Sequence, residues 1–213
     1  MDRAEKIATS LLQIKAIKLQ PEKGFVWASG WHSPIYCDNR VLLSYPEIRS
    51  AVADELTMLL REQYPQTQAI AAVATGAIAM GALVADRLGL PMIYVRPEPK
   101  AHGLGKQIEG HEDASLRYTI VEDLVSTGKS SLAALHALRS AGIRVEGMVA
   151  LFSYGFQTAE DNFREANCKL ATLLSYPQLI RSAIAMKAVS EELLTTLESW
   201  RSNPSTWKAH ERT

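Results

Sequence analysis

The sequence predicts an α/β fold, a central, mostly parallel sheet flanked by helices, and three observations carry the prediction. Uninterrupted apolar runs of strand length recur through the middle of the chain: "AIAAVAT" (69–75), "PMIYV" (91–95), "YTIVED" (118–123) and "VEGMVALF" (145–152). Runs without polar alternation belong to strands covered on both faces. Between them lie stretches of helical length and periodicity, two of which stop at Gly89 and Gly142, and strands alternating with helices build a parallel sheet. Finally, 213 residues that are 47% hydrophobic and 22% charged can bury one proper core. A single domain over 1–213 is expected, with hood elements over about 1–45, a core over about 46–175 and C-terminal helices over about 176–213.

Each element follows in order. Residues 3–19 carry Ile7, Leu11, Leu12, Ile14 and Ile17 at helical spacing. The segment 24–40, "GFVWASGWHSPIYCDNR", holds short β-prone pieces around Ser-Gly and Ser-Pro and reads as a small strand pair. Pro46 opens a helix to about residue 60, since proline suits a first helical turn. The core strands and helices come next, then a further strand, "KLATLLS", and two helices around Ile180 and Leu193. The stretch 96–117, "RPEPKAHGLGKQIEGHEDASLR", has no apolar periodicity and reads as a long structureless loop, a functional lid with Gly103, Gly105 and Gly110 as hinges.

Composition excludes several function classes. The 23 basic and 23 acidic residues balance and are scattered, which argues against charge-driven nucleic-acid binding. Cys37 and Cys168 form neither a metal-ligand nor a CxxC spacing, as expected of a reducing cytoplasm. The N-terminus is too interrupted by charge for a signal peptide, and no apolar run is long enough to span a bilayer, so no membrane partner is expected.

The chemistry concentrates in "VEDLVSTGKSS" (121–131). Its Gly128-Lys129-Ser130 triplet imitates a nucleotide-binding P-loop, but Asp123, beside Glu122, stands where that motif needs its first glycine. Ligands of parallel sheets sit beyond the strands' carboxyl ends. There the loop offers backbone N–H groups, the hydroxyls of Ser126, Thr127, Ser130 and Ser131, and a helix N-terminus: a cradle for one phosphate. Carboxylates against a phosphate would repel it, so the acid pair fits adjacent ribose hydroxyls on the same ligand. Helix capping by Asp123 is the plainer alternative, and it leaves the second acid and four hydroxyls unexplained. A second piece, "ATGAIAMGAL", has P-loop glycine spacing at Gly76 and Gly81, but Ala82 and Leu83 replace the lysine and hydroxyl residue. Residues 74–77 there either contact a diphosphate through backbone or simply ease tight packing.

These motifs resemble those of the type I phosphoribosyltransferases. "YTIVEDLVSTGKSS" is similar to their signature for phosphoribosyl pyrophosphate (PRPP). "ASGWHSPIYCDNR" resembles the N-terminal hood of the orotate branch, and "YVRPEPKAHGLGKQIEG" its mobile catalytic loop, in family order across nearly the whole chain. The resemblance implies the type I fold with a small hood and transfer of phosphoribosyl from PRPP to orotate, giving orotidine 5′-monophosphate and pyrophosphate in pyrimidine synthesis. It implies that Glu122 and Asp123 hold the ribose hydroxyls, and that Leu124, Val125, Ser126, Thr127, Gly128, Lys129 and Ser130 form the PRPP loop around the 5-phosphate. Arg96, Lys100 and His102 would bind pyrophosphate, with Lys100 and His102 the catalytic groups of the lid. Ser126 would also reach orotate, covered by Tyr36 and Cys37, with Arg40 facing its carboxylate. Asp38 and Arg40 read equally well as a structural pair. Mg²⁺ held mainly through PRPP, and a homodimer whose mobile loop reaches the neighbouring site, are also implied. Some members carry lysine at the positions of Ala28, Gly76 and Pro97, and an orotate-binding arginine at that of Tyr154. Lys129, at a position commonly small in the family, is expected to be an addition rather than part of the motif. A transferase for another base, or a PRPP-sensing regulator, would lack the hood pattern or need a basic face.

Overall fold

The computed structural model describes residues 3–98 and 107–208. Its centre is a six-stranded sheet of β5 (Ala69–Val73), β6 (Met92–Val95), β7 (Ile108–Glu109), β8 (Arg117–Val125), β9 (Arg144–Ser153) and β10 (Leu170–Ser175). The order is β10-β9-β8-β5-β6-β7, every pairing parallel except β6 with β7. From β5 the chain winds outward through β6 in one direction and from β8 through β9 in the other. The β5/β8 boundary is therefore a topological switch point, where the carboxyl ends of the strands open a crevice.

The apolar runs are buried on both faces, as their lack of alternation predicts. All of β5 is buried; Ile70, Val121 and Val149 face one core, and Ala69, Ala71, Ile120 and Met148 the other. The first core packs under α1 (Arg3–Gln13), α2 (Pro46–Gln63), α3 (Ile78–Leu88) and α6 (Tyr176–Ala185), together with α7 (Leu194–Ser202). The second lies under α4 (Lys129–Ser140) and α5 (Gln157–Glu165). Each fully buried Ile, Leu or Val contributes roughly 1.5–3 kcal/mol of transfer free energy. Gly89 ends α3 in the left-handed conformation at φ 64°, as expected of a helix-stopping glycine.

Two expectations give way, and one helix lies where none was expected. The first helix stops at Gln13; Lys15 turns the chain at φ 58°, and β1 (Ile17–Leu19) pairs antiparallel with β4 (Ile35–Cys37). Ile17 fits both periods, and the ribbon buries it opposite Cys37. Part of the supposedly structureless stretch forms the edge strand β7, too short to carry a period. Helix α5 was not predicted at all, because only Ala159 and Phe163 on it are buried.

The hood joins the β1/β4 ribbon to a second, β2 (Phe25–Val26) with β3 (His32–Ser33), and to a 3-10 helix at Asn39–Ser44. It is clamped from the far end of the chain. The Trp200 indole N–H of α7 donates to the His32 carbonyl at 3.2 Å, and its ring meets those of Trp27, Tyr154 and Phe156 at centroid distances of 5.4–5.7 Å. Among the described residues no helix is long and apolar enough to cross a membrane.

Candidate active site

The acid pair lies on β8, the strand flanking the switch point. Successive residues of a strand point to opposite faces, and the two acids differ accordingly. Glu122 is buried at 4% exposure, and its Oε2 accepts a hydrogen bond from Ser131 Oγ at 2.8 Å. Asp123 is half-buried, and its backbone N–H donates to Glu122 Oε1 at 3.0 Å. Burial, then the neighbouring Asp123 charge, pushes the Glu122 carboxyl well above its ordinary range. Burial raises Asp123 as well, against opposing contributions that include Arg40. Two carboxyl groups held close in a crevice suit either hydroxyl donors or a cation.

Beyond Val125 the chain enters the predicted cradle. Gly128 takes a left-handed φ of 81° at the start of α4, and no side chain caps the helix. The first N–H groups of an uncapped helix point outward at partial positive charge, the arrangement that receives a phosphate. Ser126 and Thr127 are half-buried; Lys129 and Ser130 are exposed. Ser131 departs from the expectation. One helical step past Ser130 it faces inward, its hydroxyl engaged by Glu122, so the cradle has three hydroxyls rather than four.

Two supports for this loop were missed in the sequence, both from α5. Asn162 Nδ2 donates to the Thr127 carbonyl at 3.0 Å, and a Cβ on residue 128 would come within 2.9 Å of Phe163. A third missed residue is Asn39. Buried at 4% exposure, it donates from Nδ2 to the Asp123 carbonyl at 2.7 Å, tying the hood to the acid strand. Its Oδ1 lies 3.3 Å from Cys37 Sγ, whose thiol is pushed up by burial and by the charges of Asp123 and Asp38.

The remaining candidates are placed as follows. Tyr36 is exposed on the hood, its ring 5.7 Å from that of Phe25. Arg40 grips Asp38 with two parallel bonds, Nε to Oδ1 at 2.7 Å and Nη2 to Oδ2 at 2.9 Å. Arg96 follows β6, its Nη1 3.6 Å from Glu109 Oε1. With Ala74, Thr75, Tyr94 and Glu109 it lines a cleft of about 440 Å³. Lys100 and His102 lie outside the described residues. Tyr154 is 1% exposed at the centre of the aromatic cluster, so it belongs to the core beneath the hood. A larger cavity, about 880 Å³ between α6 and α7, contains none of the sequence-predicted residues.

Among the described residues no group of three or more His, Cys, Asp or Glu side chains could hold a metal ion. The donor set at the acid pair, two carboxylates, fits a cation that arrives on a polyphosphate ligand and takes most of its oxygens from it.

No family model matches the chain. Individual proteins do, over almost its full length. The orotate phosphoribosyltransferase of Cytophaga hutchinsonii is 50% identical over 208 residues, covering 98% of this chain and 100% of that protein. That of Porphyromonas gingivalis is 52% identical over 201 residues, covering 94% of this chain and 96% of the other. The crystal structure of the Aeropyrum pernix orotate phosphoribosyltransferase superposes with a TM-score of 0.74 at 30% identity, covering 82% of this chain and 96% of that one. With about half its residues shared with such proteins over almost its whole length, the chain belongs to the orotate phosphoribosyltransferase family.

Proposed function

We propose that this protein transfers phosphoribosyl from PRPP to orotate, forming orotidine 5′-monophosphate and pyrophosphate in pyrimidine biosynthesis. One observation carries the site assignment: a carboxylate pair stands directly ahead of an uncapped helix N-terminus, at the switch point of a parallel sheet. The N-terminus of α4, with Ser126, Thr127 and Ser130, holds the 5-phosphate, the backbone of Leu124 and Val125 leading into that loop. Asp123 accepts from the ribose hydroxyls, with Glu122 behind it taking the second hydroxyl or bracing Asp123. Arg96, Lys100 and His102 receive the pyrophosphate.

As the C–O bond to pyrophosphate breaks, the ring nitrogen of orotate forms the new C–N bond and its proton leaves. Positive charge grows on the ribose and negative charge on the leaving oxygens. The fixed Asp123 carboxylate on one side and fixed cations on the other stabilise that separation without reorganising. Mg²⁺ bound through PRPP supplies further neutralisation of the leaving group. Asp123 is the protein carboxylate that would face it. The hood covers orotate with Tyr36 and Cys37 and excludes water, which would otherwise capture the ribose cation. Arg40, whose charge reaches Asp123, faces the orotate carboxylate while Asp38 holds its fork. The enzyme works as a cytoplasmic homodimer, with the loop around Lys100 and His102 closing over the neighbouring site.

A base panel tests this reading. Orotate, uracil and hypoxanthine are each incubated with PRPP, Mg²⁺ and the protein, and nucleotide formation is followed. Orotidine 5′-monophosphate should form from orotate alone; preference for another base would overturn the orotate assignment.

A further inference from the structure

The last helix, α7, bridges the sheet and the hood, and two neighbouring residues make the bridge. Arg201 seats the helix on the sheet. Its guanidinium reaches the carboxyl end of β9, where Nε donates to the Tyr154 carbonyl at 3.1 Å and Nη2 to the Gly155 carbonyl at 3.0 Å. The Tyr154 backbone N–H in turn donates to the Val125 carbonyl at 3.1 Å, one residue ahead of Ser126. A second anchor is the Tyr176 hydroxyl, which donates to the Leu197 carbonyl at 3.1 Å.

Trp200 seats the hood on the helix. Fully buried, it donates to the His32 carbonyl on β3 across 168 residues of sequence. Its ring stands edge-on to that of Trp27 at 5.7 Å, and the Trp27 indole donates to the Ile35 carbonyl at 3.1 Å. Ile35 immediately precedes Tyr36 and Cys37, so a line of contacts runs from the end of β9 through α7 to the hood residues assigned to orotate. The ribbon of β2 and β3 is only two residue pairs long, and so short a ribbon does not hold its own geometry in water. The other end of the hood has a separate hold, the Asn39 amide on the Asp123 carbonyl at 2.7 Å.

We propose that Trp200 is a positioning residue for the orotate side of the site: seated on the sheet by Arg201, it fixes the hood ribbon so that Tyr36 and Cys37 stand over the crevice before orotate arrives. A cover already in place costs the ligand less to order. This rests on the reading above that the hood covers orotate. Because Asn39 still ties the hood to the acid strand, loss of the Trp200 bond leaves the PRPP side of the crevice as it was.

Trp200→Phe keeps an aromatic ring in the cluster and removes the indole donor; Arg201→Gln breaks the fork on the two carbonyls. Three quantities are measured: the KM values for orotate and for PRPP, each at saturating co-substrate, calorimetric affinity for inorganic phosphate, and amide hydrogen exchange across residues 25–33 of the free protein. Trp200→Phe should speed exchange in that ribbon and raise the orotate KM about three- to tenfold, the span one lost hydrogen bond accounts for. The PRPP KM and phosphate affinity should not change. Arg201→Gln should move the same quantities in the same direction. An unmoved orotate KM, orotate and PRPP KM rising together, or unaltered ribbon exchange would overturn the proposal. If Trp200→Phe fails to fold, Arg201→Gln, at a half-buried position, decides by the same criteria. A parent that forms no nucleotide from orotate overturns the functional reading and this proposal with it. An active parent whose orotate KM ignores both variants overturns the proposal alone.

Discussion

Asn39→Ala tests whether the hood and the acid strand act as one unit. The substitution removes the Nδ2 donor from the Asp123 carbonyl, a 2.7 Å bond between residues 84 apart in sequence and largely hidden from solvent. A buried carbonyl stranded in this way costs about 1–3 kcal/mol, more than the bond's net worth, because its desolvation is no longer offset. For a protein of this size 1 kcal/mol corresponds to roughly 2–4 °C, so the melting temperature should fall by about 2–12 °C. The functional effect should exceed a simple loss of folded enzyme. With Asp123 released on one side, the KM for PRPP should rise about tenfold, equivalent to about 1.4 kcal/mol of misplaced binding, while kcat per folded molecule changes less. Calorimetry and steady-state kinetics with active-site counting measure both. A lowered melting temperature with unchanged PRPP KM would refute the coupling and leave Asn39 a packing residue.

Three further perturbations address the same crevice. Glu122 is buried and carries a carboxyl raised well above its ordinary 4.5, so the folded protein retains a proton there that the unfolded chain releases. By linkage its contribution to stability falls as pH climbs from 4.5 through the folded value. Glu122→Gln should therefore melt above the unliganded parent at pH 8, the difference shrinking toward pH 4.5; an equal or growing difference at low pH would show the sign to be wrong. Gly128→Ala forces a left-handed residue against Phe163, at about 1–2 kcal/mol for the backbone alone, and should lower both the melting temperature and PRPP affinity. Neutral behaviour in both would refute the strain argument. Lys129→Gly, at an exposed position, should leave kcat nearly intact and at most raise the PRPP KM; a large fall in kcat would make the lysine part of the catalytic apparatus.

The strands were legible because apolar runs such as Ala69–Val73 admit few other readings, and the helix stops at Gly89 and Gly142 carry local chemistry. The acid pair at the end of β8 and the glycine turn that opens α4 were legible for a similar reason, being contiguous in sequence. What escaped was set by partners distant along the chain. Asn39 reads as one residue of an Asp-Asn-Arg triplet until β8 brings the Asp123 carbonyl to it. Asn162 sits on a helix with too thin an apolar stripe to announce itself, and its partner is a backbone carbonyl 35 residues away. Ser131 and Ser130 are indistinguishable by type, and only the 100° turn between successive helical residues sends one inward to Glu122. The pairing of Asp38 with Arg40, by contrast, needed only two residues of separation and was anticipated as one of two readings. Gly76 looked like half of a weak phosphate motif; its closeness to Asp123 depends on β5 and β8 being neighbours in the sheet, which no local pattern encodes.

The central claim is that the carboxylates ahead of α4 serve a ribose while the helix N-terminus serves its phosphate. Titration of PRPP with Mg²⁺, and of inorganic phosphate, into the parent and into Asp123→Asn separates the two roles in one experiment. The substitution keeps the shape of the side chain and removes its charge. PRPP affinity should fall tenfold or more in Asp123→Asn with phosphate affinity retained. Undiminished PRPP affinity, or equal weakening of both ligands, would contradict the division of labour between the carboxylates and the helix.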